Sequence, residues 1–180
     1  GQNLFNYQKL LYFIDNNTTH EVISNGYSIN PAVQNSDCYV SIGYTNNLVA
    51  GEKYTLSYQT LGNVTSFNLY AVEKGTSEIV NEITLTNGVF VAPDNIYDFM
   101  LKFDINSESL TNNVNIWNIQ IVKGEELLDY AAYTENGLNM DFEQPLRGIR
   151  NVKDYILLDN VNLINPTTLR AKVKEHTTYY

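Results

Sequence analysis

Few residues of this 180-residue chain have the chemistry for catalysis or for holding a metal. The two histidines, His20 and His176, lie near opposite ends, and neither has Cys, Asp or Glu at zinc-ligand spacing. The single cysteine, Cys38, alternates with Val40 and Ile42, the phase of a buried side chain rather than of a nucleophile. Two carboxylate pairs invite a glycosidase reading, which needs acid groups roughly 5–10 Å apart. Asp98 and Asp104 are six residues apart on one extended run, about 20 Å at 3.3 Å per residue. Glu125 and Glu126 point opposite ways if extended, as on a solvated face. No G-x-S-x-G and no glycine-rich phosphate loop is present. These patterns point away from an enzyme.

Aromatic side chains are the better candidates. Sugar rings stack on exposed Trp and Tyr through their apolar C–H faces, while nearby Asn, Asp and Gln bind the hydroxyls. Tyr39, Tyr70 and Trp117 each occupy the polar phase of a strand, interleaved with Ser41, Asn68 and Asn115. Trp117 is the only tryptophan. These three are the expected carbohydrate-binding residues. Their alternative role is to pack under loops or against a partner chain.

Strands must position them. "YDFMLKFDIN" alternates cleanly, with Tyr97, Phe99, Leu101, Phe103 and Ile105 on one face and Asp98, Met100, Lys102 and Asp104 on the other. "KYTLSY", "SFNLYAV" and "CYVSIGY" alternate likewise. Ser24-Asn25-Gly26 and Asn87-Gly88 are turn signals between extended pieces. Only "YQKLLYFIDNN" has a helical look, for a turn or two. In "VNIWNIQIV" the apolar phase flips at Trp117-Asn118, as a β-bulge would make it do. Gly124 then ends the strand. "EELLDYAAY" is too short and poorly capped for a helix. It is expected to close over the sandwich, packing Leu127, Leu128, Tyr130 and Tyr133 onto it. About eight or nine strands result, spaced for an antiparallel β-sandwich or barrel.

Residues 1–135 are thus expected to form the β-sandwich. Residues 136–180 form an extended appendage or the start of a next module. Within it "YILLDN" and "TTLRAKVKE" look like strands, and it holds 6 of the 11 basic residues. The formal charge of −9, with no basic stripe, argues against nucleic acid and anionic lipid. No apolar run approaches the length of a membrane span. One cysteine excludes an intrachain disulfide. No signal-peptide pattern is present near Gly1, which is read as a cleavage scar of a longer protein.

Four pieces carry a resemblance. "NLF" at Asn3–Phe5, "VAGEKYTLSY" at Val49–Tyr58, "NIWNIQIVKGEELLDYAAY" at Asn115–Tyr133 and "PLRGIRNVKD" at Pro145–Asp154 occur in that order. Together they resemble the carbohydrate-binding-module-like jelly roll of bacteriophage and prophage tail proteins. Val122, Asp129, Ala132 and Arg150 depart from the family's usual Glu, Pro, Pro and Gly. The resemblance implies a non-catalytic module of a virion tail or baseplate, prophage-encoded and acting outside the cell. Its partners would be a host cell-surface glycan and other tail or baseplate subunits, and a tail setting allows a homo-oligomer. No cofactor is implied beyond the structural calcium ion such jelly rolls often hold, for which the chain offers no compact Asp cluster.

Three functions compete on these grounds. A glycan-binding adhesin module would show a groove of exposed aromatics. A structural spacer would show a flat apolar patch. A cell-wall hydrolase would need a pocket of perturbed carboxylates.

Overall fold

A computed structural model describes residues 1–134, 150–152 and 155–157. The chain divides into two compact units, Gly1–Tyr133 and Thr134–Tyr180. Ten strands build the first: β1 (Tyr12–Asn16), β2 (Thr18–Ile23), β3 (Gly26–Pro31), β4 (Cys38–Tyr44), β5 (Lys53–Leu61), β6 (Val64–Glu73), β7 (Ile79–Ile83), β8 (Val89–Val91), β9 (Tyr97–Ile105) and β10 (Val114–Lys123). In the second unit β11 (Arg150–Val152) pairs antiparallel with β12 (Tyr155–Leu157), which lies within the expected strand "YILLDN". The expected strand "TTLRAKVKE" lies outside the described residues.

The first unit is an all-β sandwich of two antiparallel five-stranded sheets. The first sheet runs β1-β4-β9-β6-β7 and the second β2-β3-β10-β5-β8. Strands β3 to β10 wrap in the orders 4-9-6-7 and 3-10-5-8, the double Greek key of a jelly roll. Among the described residues there is no helix.

Alternation explains the core. Val40, Ile42, Leu69, Leu101 and Phe103 of the first sheet meet Ile29, Leu56, Ile116 and Ile121 of the second. Tyr58, Phe67 and Phe103 form a three-ring contact with centroids 4.7–5.0 Å apart. Such pairs add about 0.5–1.5 kcal/mol each beyond the area they bury.

Three local expectations change. The helical-looking "YQKLLYFIDNN" is a turn followed by strand β1. Asn6 Oδ1 accepts from the Gln8 backbone N–H at 2.9 Å and starts the turn, and Phe13 is drawn onto the sandwich. Asn87-Gly88 does form a tight turn, both residues having positive φ (52° and 81°) and Thr86 pairing with Val89 across it, yet β7 and β8 do not pair with each other. β7 joins β6 and β8 joins β5, so the chain crosses between sheets there. Finally, Asp98 and Met100 are in the outward phase of β9 but only 2% and 4% exposed. Side chains and loops cover that end of the first sheet.

Candidate functional site

Strand β10 carries the candidate site. Along its first half the outward residues are Asn115 and Trp117, flanked by β3 and β5. Trp117 stands opposite Gly26 on β3 and Gln59 on β5. A Cβ on Gly26 would fall on the Ile116 carbonyl oxygen and the Trp117 backbone, so no side chain rises beside the indole on that flank. The indole is half-buried.

The bulge expected at Trp117-Asn118 is present. The pairing with β5 shifts between Trp117↔Gln59 and Gln120↔Ser57, so Asn118 and Ile119 together oppose Tyr58. Asn118 adopts φ 54°, a left-handed conformation that Asn tolerates better than most residues. Its amide donates to Gln59 Oε1 at 2.8 Å, and its backbone N–H donates to the Asn25 carbonyl at 3.0 Å. Trp117 thus keeps the outward phase of Asn115, and the bulge that follows it reverses the phase of Ile119–Val122.

Beyond Trp117, away from the bulge, lies a strip of amides and hydroxyls. Asn113 donates to Asn30 Oδ1 at 2.7 Å and to Ser28 Oγ at 3.1 Å. Asn115 sits between Ser28 and the exposed Leu61. Its Oδ1 is buried without a hydrogen-bond partner. Glu21, at the edge strand β2, is the nearest charge in the register, opposite Ser28.

On the other side of the bulge the outward residues are Gln120 and Val122, each 1% exposed. A strap, residues 125–133, covers them. Gln120 Nε2 donates to the Leu128 carbonyl at 2.8 Å, and its Oε1 accepts from the Ala131 N–H at 3.2 Å. Asn3 completes the clasp. Its Nδ2 donates to the Ala131 carbonyl at 3.0 Å, and its Oδ1 accepts from the N–H groups of Ile121 and Phe5. The Leu4 N–H bonds the Ile121 carbonyl at 2.8 Å, so the first residues lie beside β10 where β3 has ended. Leu128, Tyr130 and Tyr133 are half-buried, but Leu127, expected to pack inward, is 71% exposed. Hydrogen bonds rather than a row of leucines fix the strap, so alternate side chains can face water.

Tyr39 and Tyr70 do not join Trp117. Both lie on the outer face of the first sheet, on the opposite side of the sandwich. They are also separate from each other: Tyr39 opposes Asp104 and Tyr70 opposes Met100, four residues apart on β9. Lys102 covers Tyr39, its Nζ 4.3 Å from the ring centroid. Strand phase reveals that a side chain faces outward, but not from which sheet, and the two sheets of a sandwich face opposite ways. Tyr12 covers part of the same face by lying across Gly43, where any side chain would meet the ring. Its hydroxyl is buried without a partner, and burial followed by the Asp98 charge raises its pKa.

The carboxylates are engaged in structure. Asp98 accepts from the backbone of Asn46 at 3.1 Å and Gly75 at 2.8 Å, tying two loops together. Asp104 bonds Ser66 and pairs with Lys102 at 3.4 Å. Glu125 pairs with Lys53 at 2.9 Å beside a shallow depression. His20 does find an acid: its Nδ1 is 2.7 Å from Asp15 Oδ2, with the ring stacked 3.8 Å from Phe13. Among the described residues no three His, Cys, Asp or Glu converge on a metal position. Cys38 is buried, with its thiol near the carbonyls of Asn17 and Val33.

No protein-family model and no curated protein matches the chain. Among solved structures, a carbohydrate binding module, CBM6cm-2 from Cellvibrio mixtus lichenase 5A in complex with cellotriose, is similar over 65% of this chain and 100% of that one. The identity is 14% and the TM-score 0.36, too distant to transfer a residue or a ligand.

Proposed function

We propose that the unit Gly1–Tyr133 is a non-catalytic module that binds bacterial cell-surface polysaccharide on the outer face of its second sheet, as part of a phage or prophage tail. The observation that carries the reading is Trp117. Strand phase turns its side chain outward just before a bulge, Gly26 leaves one flank bare, and a strip of amides begins beside it. That combines an apolar stacking surface with hydroxyl-binding groups. The tail setting rests on the resemblance of the four sequence pieces. In that setting the module faces the host, and repeated copies raise a weak single-site affinity.

A single site is expected to bind at about 0.1–1 mM, or roughly −4 to −5.5 kcal/mol. Because Trp117 is the only tryptophan, its fluorescence reports the site alone. Host polysaccharide titrated against wild type should change that emission. In a pulldown on cell walls, Trp117→Ala should lose at least tenfold in binding, about 1.4 kcal/mol. Tyr39→Ala and Tyr70→Ala, on the opposite face, should bind as wild type. Equal binding by Trp117→Ala would remove the indole from the site. If no host glycan binds even a multimerised form, the module is a structural spacer. The exposed Ile79 (53%) and Val80 (44%) on edge strand β7 are the surface to examine for its partner.

A further inference from the structure

We infer that the platform takes a neutral oligosaccharide lying along β10, with Trp117 at a closed end and room for about three sugars. This rests on the glycan-binding reading above and goes further, to the ligand's charge class, direction and length.

The closed end comes from the strap. It crosses the outer face of the second sheet over Gln120 and Val122, held through Gln120 and Asn3, so a chain stacked on Trp117 cannot continue in that direction. The open direction runs from Trp117 past Asn115 to Asn113, with Ser28 and Asn30 of β3 alongside. Four residues of strand at about 3.4 Å each place Asn113 roughly 14 Å from Trp117, space for about three pyranose rings in line. The buried Asn115 Oδ1, which lacks a donor, lies at the middle of this path. That oxygen is closed to solvent, so the polar groups that meet a sugar on this path are the exposed Asn113 and the half-buried Ser28 and Asn30.

The charge class comes from the strip itself. Its hydrogen-bonding groups are amides and hydroxyls. Lys53, on the same face of β5, lies on the strap side of the bulge and is paired with Glu125. Phosphate and carboxylate recognition calls for Arg or Lys, and the nearby charge is the carboxylate of Glu21. Neutral sugars bearing hydroxyl or N-acetyl groups suit this strip. Polyanionic chains do not.

The test is a length series. The whole chain is titrated with β-1,4-linked glucose and N-acetylglucosamine oligomers of one to six sugars, and with a polyglycerol phosphate of similar size, following both tryptophan emission and heat. Affinity should rise about tenfold in all from one sugar to three and then stay within about twofold to six. Polyglycerol phosphate should not bind. Asn113→Ala should abolish the step from two sugars to three and leave the single sugar within twofold. A rise in affinity continuing to six sugars would overturn the closed end while leaving glycan binding intact. Salt-sensitive binding of the polyanion would overturn the charge class. If cell-wall polysaccharide binds through Trp117 but no oligomer does, the three-sugar site is wrong and the broader reading stands. If neither binds, both fall.

Discussion

Val114–Trp117 and Gln120–Val122 belong to one strand of one sheet, yet their outward residues live in different solvents. Before the bulge, Asn115 and Trp117 face an open strip. After it, Gln120 and Val122 are each 1% exposed under the strap. Strand geometry treats the two halves alike. The difference lies in the chain laid over them, and an amide rather than an apolar side chain holds that chain in place. In this fold a buried Gln is the signature of a covered half, and a half-buried Trp that of a bare one.

The contrast breaks most completely at Asn3. Asn3→Ala removes the acceptor for two buried backbone N–H groups and the donor to Ala131. Each buried group left unpaired costs about 1–3 kcal/mol, so a loss of about 3–5 kcal/mol is expected in urea unfolding. Gln120→Ala should lose less, about 1–3 kcal/mol, because the strap can lift and hydrate its own backbone. Hydrogen exchange at Ala131 should rise in both variants. A Gln120→Ala protein with wild-type stability and exchange would show that the strap stays down without its clasp.

Alkaline pH comes next. Burial raises the pKa values of Tyr12, Tyr27, Tyr44 and Tyr58, and on the strap that of Tyr130, with Tyr7 adding to the effect at Tyr27 and Tyr130. The folded state therefore holds these protons more tightly than the unfolded chain does. The stability they contribute is fully present below the ordinary tyrosine value of about 10 and is lost as pH rises through the higher folded values. Melting temperature should be insensitive to these groups at pH 8–9 and should drop above about pH 10. Absorbance showing these five tyrosines half-ionised near pH 10 while the protein stays folded would contradict the burial.

Smaller effects sharpen the boundary between the halves. Asn118→Val places a β-branched residue at φ 54° and removes the bond to Gln59, for an expected loss of about 1–2 kcal/mol. It should also alter Trp117 emission, since Asn118 and its partner Gln59 flank Trp117. Leu127→Ala should stay within about 0.5 kcal/mol of wild type, as for other exposed sites. A loss of several kcal/mol would mean that Leu127 is buried in solution.

Much of the sandwich is legible in the sequence because strands announce themselves by period. Phe99, Leu101 and Phe103 alternate with Asp98, Met100 and Lys102, and the flip at Trp117-Asn118 marks a real bulge. Long-range placement is not legible. Nothing local distinguishes Gln120 from a solvated Gln, because its partners Leu128 and Ala131 are defined only once the strap folds back. Asn3 reads as one more polar residue, because its partners Ile121 and Ala131 are more than a hundred residues away. Asp98 and Met100 read as solvated because their covering, the ring of Tyr12 and loops from elsewhere, is equally distant. For the same reason Tyr39, Tyr70 and Trp117 share a phase in the sequence but not a surface in the molecule.

The meeting of Asn3 with Ala131 has a mechanical consequence. The first unit is entered and left at nearly the same point, so a pull on Gly1 and Tyr133 is loaded first across the clasp rather than through the sandwich. The bonds made by Asn3 and Gln120, each worth about 1 kcal/mol net, would open in succession, as a zip does. Gln120 and Ile121 belong to β10, so these bonds pass part of the load to the end of that strand beyond the bulge. The clasp would act as a fuse, giving slack before the ladder bonds of the two sheets are strained.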